Sequence, residues 1–532
     1  MQPSCPENGY PWTSPCPRTA CSSLHPWVSF QRRDHCKNTS YRLCKPRNPM
    51  DDRPNILLFL PDGMQAQVTG PDHDCHTPNF DRLADRGTRF TRAHTVLPTC
   101  SPARASLMTG LLPHNHGVLQ VEHCVDDDQC LLRTRHPHWA QRLSQAGYRT
   151  GYFGKWHIER TNRLEDFGWQ VNGCDATVAF RALGSGVAKT EELLDENSLA
   201  VYETGPEGYN SVLHYGVTNV PSAQRSFVRT VDMAQGFLDE SFAQDAPWAC
   251  CVSFAEPNVP LIAGREAFFQ YDVDSIRLPE NLRDDFAQSP AFYRRQREIF
   301  QHVTDRQWRQ ARAVYYALIT ELDQQFGRLL DQLEQAGQLD RTIVLVLSDH
   351  GRYMGAHGFD AHNFGPFEEA YNIPLIAAGP KIAPGVETDA HVSLADVAPT
   401  LLELAGAESI DVPDSRSLAA LLADPVARAP DFDHSYAEFY GTRFLMTQRI
   451  LWRGPWKFVF NGFDYDELYN LDDDPGELTN LAGEPGYRDT MRDMMAEIWR
   501  IARDTEDSIL TETHYSPMRF GLVGPNAAGP QY

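Results

Sequence analysis

A run of apolar residues from Asn55 to Leu60 stops abruptly at Pro61, Asp62 and Gly63. The run has the length of a strand, and it is continuous rather than alternating, as a strand buried on both faces requires. Strand-like stretches recur at Tyr148–Phe153, Ala249–Phe254 and Thr342–Ser348, the last followed at once by Asp349 and His350. Helical patterns lie between them. Thr77–Ala84 reads as a helix stopped at Gly87, and Gln310–Gln335 keeps Tyr316, Ile319, Leu322, Phe326 and Leu330 on one face before Gly337. Alternation of this kind predicts an α/β fold with a mostly parallel sheet, and polar residues at the strand ends predict one active edge.

A chain of 532 residues exceeds what one hydrophobic core usually supports. The alanine-rich stretch Ala405–Pro430 marks a change of character, with a short helix at Leu418–Leu422 and linker residues Asp424, Pro425, Pro430 and Asp431. Beyond it, Ile450–Trp452, Trp456–Phe460 and Glu467–Tyr469 read as strands and Asp489–Arg503 as a closing helix. The expected organisation is an extension at 1–49, a catalytic domain at 50–425 and a smaller α+β domain at 426–532. The extension carries Cys5, Cys16, Cys21, Cys36 and Cys44 without Cys-x-x-Cys spacing or the apolar centre of a secretory signal. It reads as a poorly ordered segment or as residues ahead of a true start at Met50.

Acidic residues outnumber basic ones, 71 to 48, for a net charge of −23. Such a field argues against nucleic acid or an anionic membrane as partner. No apolar run is long enough to cross a bilayer, and a cytoplasmic enzyme is expected. The same field repels sulfate and phosphate esters, so a site for either must be made locally positive.

Cys100-Ser101-Pro102-Ala103-Arg104 supplies such a place. Pro102 is pre-set for a first helical turn, which puts Cys100 at a helix mouth where free N–H groups favour an anion. Arg104, one turn along, can reach back over Cys100 or over the anion. Asp62 and Asp349-His350 end two different strands and can face the same crevice. Two carboxylates and one imidazole suit a hard divalent cation, Ca²⁺ or Mg²⁺, with Mn²⁺ a further option. Gly154-Lys155-Trp156-His157 follows a strand and offers a cation and an imidazole for ester oxygens and protons.

The longer run Cys100–Gly110 resembles the signature of the formylglycine-dependent sulfatases, within the alkaline phosphatase superfamily. The resemblance extends through Asn55–Asp62, Thr77–Phe80, Gly154–His157, Ser348–Gly351, Gly355–Gly358 and Asp466–Leu471, in the family order, from residue 53 to about 482. It implies an alkaline-phosphatase-like α/β sandwich with a central, mostly parallel sheet and a smaller C-terminal α+β domain. It also implies oxidation of Cys100 to formylglycine by a formylglycine-generating maturation enzyme. Asp62, Asp349, His350 and residue 100 become ligands of a divalent metal, Ca²⁺ first among them. Arg104 supports the nucleophile, and Lys155 and His157 contact the substrate or the nucleophile. The implied reaction is hydrolysis of a sulfate monoester: a hydroxyl of the hydrated aldehyde attacks sulfur, and the second hydroxyl then expels sulfate.

Three departures from the family pattern stand out. Gly63 follows Asp62 where many members have a second aspartate. Asn258, in Glu256-Pro257-Asn258-Val259-Pro260, stands where a histidine is usual, and its amide can hydrogen-bond a leaving group but cannot protonate one. His362 falls where many members place a lysine and is the candidate acid. Two rival readings share these residues: a phosphonate monoester or phosphodiester hydrolase, and a non-catalytic binder of sulfated ligands.

Overall fold

The computed structural model describes residues 53–70, 73–126, 129–133, 137–175, 192–203, 205–360, 363–442, 445–511 and 519–529. The cysteine-rich extension and His362 lie outside the described residues. The main sheet has eight strands: β1 (Asn55–Asp62), β2 (Gly87–Phe90), β3 (Arg149–Gly154), β4 (Val171–Cys174), β5 (Trp248–Pro257), β6 (Thr342–Leu347), β7 (Leu375–Ala378) and β8 (Val386–Thr388). Their order across the sheet is β8-β2-β7-β6-β1-β5-β3-β4. β1 pairs in parallel with β6 and β5, and β3 with β5 and β4. Only β7 runs against the rest, antiparallel to both β6 and β2.

β1 sits inside the sheet with every residue buried. Its side chains alternate: Ile56, Leu58 and Leu60 enter one core, Leu57 and Phe59 the other. The first core is closed by helices α1 (Cys100–Thr109) and α2 (Trp139–Gln145), through Ala103, Leu107, Trp139 and Leu143. The second is closed by α3 (Ser226–Phe242) and α4 (Asp305–Gln335), through Val231, Phe237, Ile319, Leu322 and Phe326. Helices on both faces make a three-layer sandwich, and each fully buried Leu or Phe contributes roughly 1.5–3 kcal/mol. The expected helix at 310–335 begins earlier, at Asp305. Thr304 caps it by accepting from the N–H of Gln307, whose side chain bonds back to the Thr304 N–H in a capping box.

The C-terminal part is a four-stranded antiparallel sheet, β9 (His434–Phe439), β10 (Gln448–Arg453), β11 (Trp456–Asn461) and β12 (Glu467–Asn470), joined by helix α5 (Arg488–Asp504). Leu451, Phe458, Phe460 and Leu468 pack on Met494, Met495, Ile498 and Trp499 of α5. The opposite face, with Ile450, Trp452, Val459 and Tyr469, packs on Tyr353, Phe359 and Phe367. Those aromatics belong to the segment that follows β6, so the small sheet braces the loop carrying Asp349 and His350. All described residues fall in one compact unit. Among them no helix is long and apolar enough to cross a membrane.

Candidate active site

The C-terminal ends of the parallel strands gather the chemistry. Asp62 closes β1, Lys155 follows β3, Asn258 follows β5, and Asp349-His350 follow β6. Strands about 4.8 Å apart bring such neighbours within contact. Gly154 makes the turn into Lys155 possible: its φ is +90°, and a Cβ there would stand 1.9 Å from the Ser253 carbonyl oxygen.

Cys100 is the first residue of α1, and it is buried. Its Sγ lies 3.2 Å from Nε2 of His350, 3.5 Å from Oδ1 of Asp62 and 3.6 Å from Nδ2 of Asn258. Ligand atoms of Asp62, Cys100, Asp349 and His350 all lie within 4.8 Å of one another, and all four residues are buried. The departure at Gly63 has a backbone reason: its φ of +74° lies in the left-handed region that favours glycine, and from there it donates its N–H to Oδ1 of Asp349 at 3.1 Å.

Arg104 differs from the expectation that it reaches over Cys100 or the anion. Nε donates to Oδ2 of Asp349 at 2.7 Å, and Nη2 to Oδ2 of Asp62 at 3.0 Å and to the Phe254 carbonyl at 3.3 Å. Nη1 donates to the Lys155 carbonyl at 3.0 Å and to Oγ of Ser253 at 2.7 Å. All five guanidinium donors are therefore used, leaving none for a substrate. Arg104 braces the two carboxylates from behind.

Lys155 stands on the open side, with Nζ 2.6 Å from Oδ2 of Asp62. Burial opposes its charge, but Asp62 holds its pKa above the usual lysine value. Burial would raise Asp62, and the charges of Lys155, Arg104 and His350 overcome it, keeping the carboxyl well below the usual range. Burial likewise opposes protonation of His350, yet Asp349 and Cys100 lift it to about 10. A cluster that draws a proton onto a buried imidazole favours positive charge at this spot. Its carboxylate, imidazole and residue-100 donors fit a divalent cation.

A cavity of about 190 Å³ opens onto Cys100, Lys155, His157, Asn258 and His350. His157, with φ +52°, is held neutral by burial and by Lys155, its pKa pushed down to about 2. Asn258 donates to Asp62, and its Oδ1 accepts from Nη1 of Arg352 at 3.3 Å. Arg352 and Asn363 line the same cavity, and sequence reasoning missed both. Arg352 is paired with Asp360 at 2.9 and 3.0 Å. Nδ2 of Asn363 donates to the Pro98 carbonyl at 2.9 Å and lies 3.1 Å from Nδ1 of His350, steadying the ring. Arg352 directly follows the Ser348–Gly351 block, which was the available signal for it, whereas Asn363 lies beyond Gly358 and outside both blocks. A wider cavity of about 880 Å³ lies beside the C-terminal sheet, lined by Asn461, Phe463 and Phe520, and contains no cluster of metal-ligating groups among the described residues.

The sequence model of the family described as Sulfatase matches residues 54–407. The chain belongs to the sulfatase family. A second model, N-sulphoglucosamine sulphohydrolase, C-terminal, matches residues 355–504 of this sulfatase, a range that includes the antiparallel sheet and α5. The choline-sulfatase of Rhizobium meliloti (strain 1021) is 31% identical over 475 residues, 84% of this chain and 87% of that protein. An arylsulfatase of Clostridium perfringens is 28% identical, across 82% of this chain and 92% of its own. Among solved structures, the phosphonate monoester hydrolase of Agrobacterium radiobacter superposes with a TM-score of 0.71 at 22% identity, covering 84% of this chain and 95% of its own. That likeness shows the shared α/β sandwich.

Proposed function

We propose that this sulfatase hydrolyses sulfate monoesters at residue 100, in a reaction that needs Cys100 oxidised to formylglycine by a maturation enzyme and a bound Ca²⁺. The observation that carries the reading is the convergence of Cys100, Asp62, Asp349 and His350 at the mouth of α1. So modified, residue 100 supplies a hydroxyl nucleophile, and Asp62, Asp349 and His350 would hold with it a cation that, when bound, would lower that hydroxyl's pKa and offset sulfuryl charge.

The remaining work falls to other side chains of this chain. Arg104 fixes both carboxylates and so the place of the nucleophile. Lys155 presents its ammonium to the sulfuryl oxygens, where it stabilises charge developing in the transition state. His157, neutral before the substrate arrives, accepts the proton of the second hydroxyl when sulfate is expelled. The Asn258 amide, set by Arg352, orients the ester. His362 is assigned the leaving-group proton, because the amide at 258 cannot supply one.

The test is mass analysis of the peptide containing residue 100 after co-expression with the maturation enzyme, paired with turnover of an aryl sulfate and an aryl phosphonate. Thiol-to-aldehyde conversion and faster sulfate turnover are expected. A persistent thiol would favour the binding reading, faster phosphonate turnover the phosphonate hydrolase, and activity surviving Cys100→Ala would overturn the mechanism.

A further inference from the structure

A second set of donor atoms stands at the mouth of the same cavity, apart from the ligands around Cys100. Glu122 and His123, in the single turn Glu122–Cys124, meet His157 there. Nδ1 of His123 lies 3.2 Å from Nε2 of His157. Oε1 of Glu122 lies 3.6 Å from that Nε2 and 3.9 Å from that Nδ1. A tetrahedral ion with bonds of about 2.0–2.1 Å sets its ligand atoms about 3.3–3.4 Å apart. The triangle needs only a small contraction on the carboxylate side to reach that geometry.

Two features hold it in shape. Nε of Arg160 donates to Oε2 of Glu122 at 2.9 Å, which leaves Oε1 turned toward the imidazoles. The Glu122 N–H donates to Oγ of Ser101 at 3.1 Å, which ties the turn to the first turn of α1. The two rings are stacked, with centroids 5.4 Å apart.

We propose that Glu122, His123 and His157 form a second metal site, for Zn²⁺ or a similar transition-metal ion, with a fourth position left for water. Two imidazoles and a carboxylate are the donors such ions select, whereas Ca²⁺ selects oxygen. An ion here takes up Nε2 of His157. On the sulfatase reading above, it therefore removes the proton acceptor and inhibits turnover.

The test uses the full chain, matured and saturated with Ca²⁺, titrated with Co²⁺ and read by visible absorption and by bound cobalt after dialysis. The expected result is one tetrahedral Co²⁺ per chain that Zn²⁺ displaces. His123→Ala and the near-isosteric Glu122→Gln each remove a ligand. Each should weaken cobalt binding by at least the roughly 10- to 100-fold that loss of an outer-shell partner alone costs. Equal cobalt affinity in the parent and either folded variant overturns the proposal, as does a six-coordinate spectrum. Binding is read without turnover, so failure of the sulfatase reading would leave this result standing, and the converse.

Discussion

Arg104→Met would remove a buried side chain that holds both carboxylates of the candidate metal site, while keeping much of its volume. Asp349 would lose a donor at 2.7 Å and Asp62 one at 3.0 Å, and the oxygens of Lys155, Ser253 and Phe254 would lose theirs. A hydrogen bond to a charged group contributes roughly 1.5–3 kcal/mol, so the two carboxylate bonds amount to roughly 3–6 kcal/mol. That agrees with about 3–5 kcal/mol for breaking a buried ion pair from one side. The loss would be uneven. Asp62 keeps Nζ of Lys155 at 2.6 Å, whereas Oδ1 of Asp349 keeps only the N–H groups of Gly63 and His350 as donors. Urea unfolding of chelator-treated protein, followed by tryptophan fluorescence, should show a loss of about 3–5 kcal/mol. Arg104→Lys should recover only part of it, since a point charge cannot replace the planar fork. With an aryl sulfate, kcat should fall on the order of 100-fold, the cost of misplacing a reacting group by about 1 Å. KM and inhibition by free sulfate should not move, because the guanidinium has no donor left for substrate. A raised KM with kcat preserved, or unfolding at the parent's urea concentration, would refute the reasoning and make Arg104 a sulfate ligand.

Lys155→Ala should lower kcat/KM by roughly 10²- to 10³-fold in steady-state assays, as loss of one transition-state donor does; a change below tenfold would take Lys155 off the sulfuryl group. Dialysis against a chelator should abolish turnover and added Ca²⁺ should restore it, and activity that survives chelation would count against Asp62, Asp349 and His350 as ligands. Away from the site, burial opposes charge on His114, but its contact with Glu438 pushes the pKa up to about 9. A raised pKa contributes stability that is complete below the unfolded value of about 6.5 and lost as pH climbs through the folded one. Melting temperature should therefore fall toward pH 9 more steeply in the parent than in His114→Asn, and matching slopes would exclude this pair as the cause.

The strands Asn55–Asp62, Arg149–Gly154, Trp248–Pro257 and Thr342–Leu347 were legible because a strand buried on both faces has to be apolar along its length. The shorter Gly87–Phe90, Val171–Cys174, Leu375–Ala378 and Val386–Thr388 were not, since so few residues carry no period. The same locality governs the site. Which residue ends a strand or opens a helix is written in adjacent positions, and this marked Asp62, Lys155, Asp349, His350 and Cys100 as candidates, whereas Asn258 was found through the family resemblance. Where a long side chain spends its donors is decided by partners far along the chain: Arg104 bonds to residues 42 and 245 positions away. Only tertiary packing could turn that arginine from the anion to the carboxylates, bring Arg352 and Asn363 to the cavity, and set Glu122 and His123 beside His157. Hydrogen bonding depends on distances of a few tenths of an ångström, which no pattern of neighbouring residues specifies.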